Sequence, residues 1–329
     1  MVRKFLVAFC LCAVALPSFA KGAGRDAVIY LGPAAAVKAD GKSPESALST
    51  LQDALSLAQD KFKEGSVNVT IRVLPGRYVA QSATTPGAAP GGSLTIAAVE
   101  DAGRPVFDGA GADLTWLTVT GRVQQPANLR ISGFRIQNYL TAITLNGSRN
   151  KLNNAVSKVV IRNNFFEAIG QQKRGAGKPS TAVIRLVNSD DNSIVNNRFI
   201  DFRNVEKCSL LHGIYLAHNS TGNLVKDNQF ENGCGDAIRF RDGSGGNQVE
   251  ANHFTDAWAT TPISDWYCDA SGRDDCTKQS GECPSLDNTL VRNQLTARKL
   301  ADKGLTEEFG ALSPKHCTVA PGARRFIRR

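Results

Sequence analysis

The chain has 329 residues, of which 42% are apolar, 30 are glycine and one is methionine. This apolar content is enough for a buried core, and the residue usage favours strands and turns over helices. The net charge of +9 is typical of a protein that meets an acidic polysaccharide, an anionic surface or a nucleic acid, although solubility alone also accounts for it.

The first predicted element is a secretory signal in residues 1–20. It has a basic start, MVRK, an apolar run in residues 5–16, and small residues before a cleavage site after Ala20. The apolar run is too short to span a bilayer comfortably, so we favour a cleaved signal over a membrane anchor. We therefore expect a secreted or periplasmic protein.

Beyond the signal, the cysteines have an even number, which after a secretory signal predicts disulfides rather than free thiols. They are Cys208, Cys234, Cys268, Cys276, Cys283 and Cys317. No CxxC pair is present, so the pattern does not favour zinc. We expect a Cys208–Cys234 bond because each precedes one of two matched segments, and we expect Cys317 to tie the tail to a loop or to the last coil.

Residues 43–62 carry apolar side chains on one helical face, and Ser43, Pro44 and Glu45 make a suitable helix start. We predict a helix over about 44–63 that covers the N-terminal end of the domain. Residues 67–79, VNVTIRVLPGRYV, alternate as a strand that breaks at Pro75-Gly76.

Two short signatures then alternate along the chain. The first closes with Asn-x-Phe, as in NLVKDNQF (223–230) and NQVEANHF (247–254), and we place its closing asparagine at 163, 197, 228, 252 and 293. The second is a short strand, as in TAITL (141–145), AVIRL (182–186), HGIYL (212–216) and DAIRF (236–240). Strands this short bury a face only by stacking on copies of themselves.

These repeats predict an all-β protein, a right-handed parallel β-helix solenoid with an N-terminal capping helix and a disulfide-rich C-terminal loop. The 24-residue unit between Asn228 and Asn252 is too short for a propeller blade. We assign residues 21–300 to the β-helix domain, with an inserted loop at 258–287. Residues 301–329 form a C-terminal tail, whose basic end RRFIRR we expect to be solvated and disordered.

Residues 27–296 resemble the secreted pectate-lyase-like right-handed β-helix proteins. The resemblance is carried by the opening segment to residue 55, by VLPGRYV, by PVFDG (105–109) and by the asparagine-rich coils. It implies the fold more strongly than the chemistry, since that superfamily includes polysaccharide lyases, uronan epimerases, glycoside hydrolases and proteins without a known reaction.

Stacked coils predict that one outer face gathers the polar residues that interrupt the repeats. Tyr215 shares a column with Thr144, Arg185 and Arg239, while His212 lies beside Asp236. The face therefore groups His212, Tyr215, Arg185, Asp236, Arg239 and Arg241. Three lysines in the entering loops are expected at its rim: Lys173, Lys178 and Lys207.

This face suits an acidic sugar chain. Cleavage of a uronate polymer by β-elimination needs a cation for the carboxylate, a base for the C5 proton and an acid for the leaving oxygen. We assign His212 as the base, Tyr215 as the acid or base, and Arg239 with Arg185 as the cations. A purely structural role is an equal alternative for each residue: His212 and Asp236 would form an ion pair, and Tyr215 and Arg239 a cation–π contact.

We favour a polysaccharide lyase, with two alternatives left open: a uronan C5-epimerase, and a non-catalytic protein that binds an anionic glycan. We expect an acidic polysaccharide as partner, neither nucleic acid nor a membrane, and a monomer. Trp258 and Trp266 of the inserted loop are candidates to wall the groove. No metal is assigned. Calcium stays open as an unsupported alternative, since calcium-dependent pectate lyases place several acids on this face and only Asp236 and Asp242 are found here.

Overall fold

The computed structural model describes residues 25–34, 36–100, 102–171, 173, 179–255, 261–268, 276, 281–296, 304–310, 312 and 315–328. The signal predicted for residues 1–20 lies outside them. The described strands form one ten-stranded sheet, two eight-stranded sheets and one two-stranded sheet. The chain visits the three large sheets, A, B and C, in turn, and neighbouring strands pair in parallel, so the predicted all-β parallel β-helix is confirmed.

Sheet A runs the length of the solenoid. In order across the sheet, its strands are β1 (Arg25–Leu31), β2 (Ser66–Val73), β5 (Ser93–Ala98), β8 (Leu129–Ser132), β12 (Val159–Arg162), β16 (Ser193–Val195), β19 (Leu224–Lys226), β22 (Gln248–Glu250), β25 (Asn288–Val291) and β28 (Phe326–Arg328).

Sheet B follows sheet A in each coil. Its strands are β3 (Arg77–Val79), β6 (Val106–Asp108), β9 (Arg135–Gln137), β13 (Phe165–Glu167), β17 (Arg198–Ile200), β20 (Gln229–Glu231), β23 (His253–Thr255) and β26 (Gln294–Leu295).

Sheet C completes each coil and carries the face of interest. Its strands are β4 (Ala83–Thr85), β7 (Thr115–Thr120), β10 (Thr141–Asn146), β14 (Ala182–Val187), β18 (His212–Ala217), β21 (Ile238–Arg241), β24 (Ile263–Asp265) and β27 (Thr306–Glu308). A small extra pair joins β11 (Val156–Ser157) to β15 (Ser189–Asp190).

The core is built from columns of equivalent apolar residues. Phe166, Phe199, Phe230 and Phe254 are register partners on sheet B, and their rings stack at centroid distances of 5.0, 4.6 and 5.2 Å. Coils in a parallel sheet lie about 4.8 Å apart, so each inward side chain packs on its copy. This stacking fixes the register that places the outer side chains.

Asparagine ladders occupy two corners of the coil. Each member accepts bonds from the backbone and side-chain amides of the member before it, as Asn228 does from Asn197 at 2.9 and 3.0 Å. The ladders are Asn164, Asn197, Asn228, Asn252 and Asn293, and Asn192, Asn223, Asn247 and Asn288. Our placement of the first member at Asn163 is wrong, because Phe166 and not Phe165 continues the phenylalanine column. Asn163 is instead the left-handed corner residue, with φ 56°.

The N-terminal helix is confirmed, but it begins later than predicted. α1 (Leu51–Lys63) is capped by the side chain of Thr50, which accepts from the Asp53 amide at 3.1 Å. Ser43 instead caps a short 3-10 turn (Pro44–Ser46), after which Ala47 returns to extended backbone. Leu51 and Leu55 are buried against the first coil, so the helix covers that end of the core.

The C-terminal region is more regular than predicted. The segment assigned to an inserted loop contains β24, a normal strand of sheet C, so the departure from the coil begins after Asp265. The expectation of a disordered tail is wrong for residues 324–328, because β28 pairs with β25 and Phe326 packs against Phe240. Arg325 is fully buried, with Nε 3.4 Å from Asp265 Oδ2. The C-terminal end of the core is thus covered by residues 324–328 of the tail.

The cysteines form three disulfides. The expected Cys208–Cys234 bond is present, and Cys317 joins Cys283, which confirms that the tail is tied to the loop. The third bond closes a small loop between Cys268 and Cys276. Among the described residues, none of the helices has the length and apolarity needed to cross a membrane.

Candidate functional site

The outer face of sheet C brings the predicted columns together. Tyr215 is the register partner of Arg185 on one side and of Arg239 on the other, and Thr144 lies beyond Arg185. Although these side chains point away from the core, all six residues of β18 are buried. The middle of this face therefore has little exposed surface, with His212 4% and Tyr215 8% exposed, while the neighbouring Arg185 is half-buried.

His212 is a neutral imidazole held between charged groups. Its side chain is 5% exposed, and its Nδ1 lies 3.6 Å from Asp236 Oδ2, beyond hydrogen-bond length. Burial, with a further contribution from Arg239 and Arg241, lowers the pKa of His212 to about 3 against the opposite effect of Asp236. At neutral pH the ring can therefore accept a proton.

Gly213 allows β18 to approach the next coil closely. A Cβ atom there would lie 2.6 Å from the carbonyl oxygen of Ala237 and 3.0 Å from the Phe230 ring. The Gly213 amide donates to the Asp236 carbonyl at 3.0 Å, which brings the next coil against His212. The glycine of HGIYL thus serves the packing that juxtaposes His212 and Asp236.

Tyr215 lies beside His212; its hydroxyl oxygen accepts one hydrogen bond, and its hydroxyl hydrogen can be donated. The two rings are 5.3 Å apart and tilted by 39°. The hydroxyl oxygen accepts from Arg241 Nη1 at 3.0 Å. Burial raises the pKa of Tyr215 despite the neighbouring arginines. The phenol therefore stays protonated, and Arg241 leaves its O–H free to donate to a ligand.

Asp236 is bonded by two side chains, those of Arg239 and Ser264. Its Oδ2 accepts from Arg239 Nε at 2.7 Å and from the Ser264 hydroxyl at 2.6 Å, while Arg239 Nη2 also contacts it. Phe309 covers Arg239, with its ring centroid 5.8 Å from the guanidinium carbon. Arg239, which we expected to meet a substrate carboxylate, is thus already paired within the protein.

Arg241 is likewise paired, with a residue that the sequence analysis missed. Glu282 accepts from its Nε and Nη2 at 2.8 and 2.7 Å, and the Trp266 ring lies 4.4 Å from its guanidinium carbon. The Cys268 amide donates to the same carboxylate at 2.8 Å. Glu282 directly precedes Cys283, but only the disulfide of that cysteine brings it here, so no local pattern could reveal it.

Among the described residues, Arg185, Thr144 and His212 each have a polar atom on this face without a hydrogen-bond partner. Arg185 Nε and Thr144 Oγ1 are both buried and have no hydrogen-bond partner. Burial lowers the pKa of Arg185, and no carboxylate among the described residues forms an ion pair with it. A half-buried guanidinium with a buried, unpartnered Nε and no acid is costly unless a ligand or solvent satisfies it. Arg185 is therefore the cation of this face that can receive an external anion.

The predicted rim is only partly described. Lys173 and Lys207 have exposed side chains, and Trp266 packs on Arg241 instead of standing free. Lys178 and Trp258 lie outside the described residues.

Two groups of side chains have the spacing of metal ligands. In the first, the ligand atoms of His218, Asp242 and Glu282 lie within 4.8 Å of one another. Asp242 Oδ2 is 2.8 Å from His218 Nδ1, however, and Glu282 is already neutralised by Arg241. The second group, Cys283, His316 and Cys317, contains a disulfide and so offers no thiolate. Neither group is assigned to a metal.

Comparison with known families agrees with the coil architecture. The family model described as a right handed beta helix region matches residues 122–272. The chain is a right-handed parallel β-helix protein. No curated protein sequence matches this β-helix chain.

Solved structures resemble this β-helix protein at low sequence identity. An alginate lyase from Paenibacillus sp. str. FPU-7 is 15% identical, with a TM-score of 0.54 over 82% of this chain and 87% of that one. A rhamnogalacturonan lyase is 14% identical, with a TM-score of 0.39 over 82% and 68%. The catalytic domain of a GH87 α-1,3-glucanase is 13% identical, with a TM-score of 0.43 over 80% and 45%. At this identity the likeness establishes the fold alone.

Proposed function

We propose that this protein is a secreted or periplasmic enzyme that acts on an acidic polysaccharide, and that it is a lyase that cleaves a uronate polymer by β-elimination. The observation that carries the proposal is the half-buried Arg185, whose Nε has no partner among the described residues, in register with the protonated Tyr215 and one coil from the neutral His212. The alginate lyase that shares the fold acts on a polymer of this class, which agrees with the proposal. Three disulfides suit an oxidising compartment.

Arg185 neutralises the uronate carboxylate. Its half-buried position has no competing acid among the described residues, so the bidentate bond that guanidinium forms with carboxylate is available to the substrate. Neutralising the carboxylate makes the C5 proton more acidic, because the charge that develops on removal of that proton is stabilised.

His212 removes the C5 proton. With Nδ1 protonated and facing Asp236 at 3.6 Å, Nε2 carries the lone pair that accepts the proton. The resulting imidazolium is stabilised by the Asp236 carboxylate. Because its pKa is about 3 without substrate, the ring is unprotonated well below neutral pH. Its low basicity has to be offset by the neutralisation of the uronate carboxylate, which makes the C5 proton more acidic.

Tyr215 protonates the leaving oxygen. The electron pair of the broken C5–H bond forms the C4–C5 double bond, the C4–O bond breaks, and the phenol proton passes to the departing oxygen. Arg241, 3.0 Å from the phenol oxygen, stabilises the tyrosinate that this transfer creates. Transfer of the proton from His212 to Tyr215 through solvent restores both groups, so the cycle needs no co-reactant.

The test is ultraviolet absorbance of the unsaturated product during incubation of the mature protein with a panel of uronate polymers. We expect one polymer to react, and His212→Gln and Tyr215→Phe to lower turnover by about two or more orders of magnitude. Matched controls are His253→Gln on sheet B and Tyr30→Phe on sheet A, which lie away from this face.

The alternatives give different results in the same assay. A uronan C5-epimerase would exchange the C5 proton with deuterium oxide without forming an unsaturated product. A glycan-binding protein would do neither, and would keep its affinity in His212→Gln. Absorbance that rises equally in wild type and in both site variants would retain the lyase activity and contradict the site.

A further inference from the structure

We infer that the site acts at one end of its polymer and releases short products, because the described residues close the outer face of sheet C on one side and leave it accessible on the other. The inference rests on the proposed lyase function and adds its mode of action. Arg185 lies in one column with Thr144, Thr118 and Thr84 on successive coils, so a chain that binds Arg185 and extends toward the N-terminal coils follows that column.

The closed side lies one coil beyond Tyr215. There, Glu282 accepts two hydrogen bonds from Arg241, and the Trp266 ring lies 4.4 Å from the same guanidinium carbon. Phe309 covers Arg239. We call Glu282, Trp266 and Phe309 the C-terminal wall. A sugar on the column beyond Tyr215 would have to occupy the space that these three side chains fill.

The wall is fixed to the protein through its backbone. Cys283, next to Glu282, is bonded to Cys317, and His316 Nε2 lies 2.8 Å from the Glu282 carbonyl oxygen. The wall residue Phe309 is held through its carbonyl, which accepts from Arg325 Nη1 at 2.6 Å. Disulfides and buried hydrogen bonds of this kind oppose a movement that would open the face.

The other side of the column carries small side chains that are less covered. Thr118 is half-buried and Thr84, one coil further, is exposed. Asn146 is exposed and Thr120 is half-buried in the adjacent column. Hydroxyl and amide groups at these positions can bond sugar hydroxyls as the polymer leaves the site. The polymer therefore has room on the N-terminal side of Arg185 and meets the wall on the C-terminal side.

The decisive experiment follows bond cleavage and polymer length in the same reaction. Wild-type protein acts on whichever polymer gives the ultraviolet signal, and viscosity and size-exclusion chromatography report chain length. We expect short products from the earliest time while most of the polymer keeps its length. A rapid fall in viscosity at low conversion would overturn the inference and leave the lyase function intact. No unsaturated product with any polymer would overturn both.

A variant of the wall gives a second, independent result. Glu282→Ala removes the carboxylate that fills the Arg241 site, so the viscosity loss per bond broken should rise severalfold. The matched control is Glu231→Ala, which breaks a similar bidentate pair with Arg198 on sheet B and should keep the wild-type ratio. A folded Glu282→Ala protein with the wild-type ratio would contradict the inference. If that variant does not fold, Trp266→Ala, which removes only the ring above Arg241, takes its place.

Discussion

Glu282 and Arg241 form a two-pronged ion pair, with bonds of 2.8 and 2.7 Å, across 41 residues of sequence. The pair joins the disulfide-pinned C-terminal segment to the outer face of sheet C, and through Arg241 it reaches the Tyr215 hydroxyl. Glu282, which lies outside the repeats, thus pairs with Arg241, which lies within them and bonds Tyr215. Its contribution to stability can be separated from that of an ordinary ion pair.

Glu282→Gln should destabilise the protein by about 3 kcal/mol, because it leaves a largely buried guanidinium without its counter-charge. The side chains of Glu282 and Arg241 are 9% and 26% exposed. Glu231→Gln is the matched control, since its pair with Arg198 has the same geometry but is 22% and 41% exposed, and it should cost about 1 kcal/mol or less. Urea unfolding of the three proteins measures both values. Equal losses would contradict a special role for burial at the Glu282 pair.

The buried histidine predicts a distinct dependence of stability on pH. The folded pKa of His212 is about 3, below the value of about 6.5 expected in the unfolded chain. Its contribution to stability is therefore fully present above pH 6.5 and is lost as the pH falls toward 3, by up to about 1.4 kcal/mol per pH unit. His212→Gln removes this contribution.

The difference in unfolding free energy between wild type and His212→Gln should therefore shrink steadily between pH 6.5 and 4. Urea unfolding at several pH values measures it, with His253→Gln as a control for the loss of a histidine elsewhere. A difference that stays constant over this range would mean that His212 is not a neutral buried group.

Arg185→Lys tests the role of the unpaired guanidinium. Lysine keeps the charge but cannot form the two parallel bonds that a guanidinium forms with a carboxylate, so kcat/KM on the uronate polymer should fall about 10- to 100-fold. Steady-state kinetics measure the loss, and Arg162→Lys on the exposed side of sheet A is the control. Unchanged kinetics in Arg185→Lys would remove Arg185 from substrate binding.

The fold was predictable because short sequence motifs repeat along the chain, once in each coil. Copies of Asn-x-Phe and of the four- to six-residue strands reveal the coil directly, since each residue stacks on its own copy. The same register placed Tyr215 opposite Arg185 and Arg239 without any structure. Errors arose where the pattern was doubled or interrupted, as at Asn163-Asn164 and at the start of α1.

The site was less predictable, because its properties depend on the ion-pair partners of each arginine, and those partners can be distant in sequence. The sequence indicated which arginines lie on the face, but not that Asp236 and Glu282 already hold Arg239 and Arg241. It also treated β18 as an exposed strand, whereas its outer side is buried. The residues that cover the face lie beyond the repeats, and only the disulfide bonds and the folded tail place them.

The asparagine ladders give the last prediction. Asn228 sits in the middle of its ladder and its side chain makes four bonds, two accepted from Asn197 and one donated to each of Asn252 and the Ile194 carbonyl. Asn228→Ala removes all four buried bonds and leaves the Asn197 backbone amide without its acceptor, so it should cost about 4 kcal/mol.

Asn293 is the matched control because it ends the same ladder, and solvent can replace part of what it loses. It accepts two bonds from Asn252 and donates one to the Val249 carbonyl, and it is only half-buried. Asn293→Ala should therefore cost about 2 kcal/mol or less, since water satisfies exposed partners. Denaturant midpoints for both variants decide the matter. Equal losses of unfolding free energy would mean that the position in the ladder does not matter. The stacked phenylalanine columns, which both variants keep, would then be the main contact between coils.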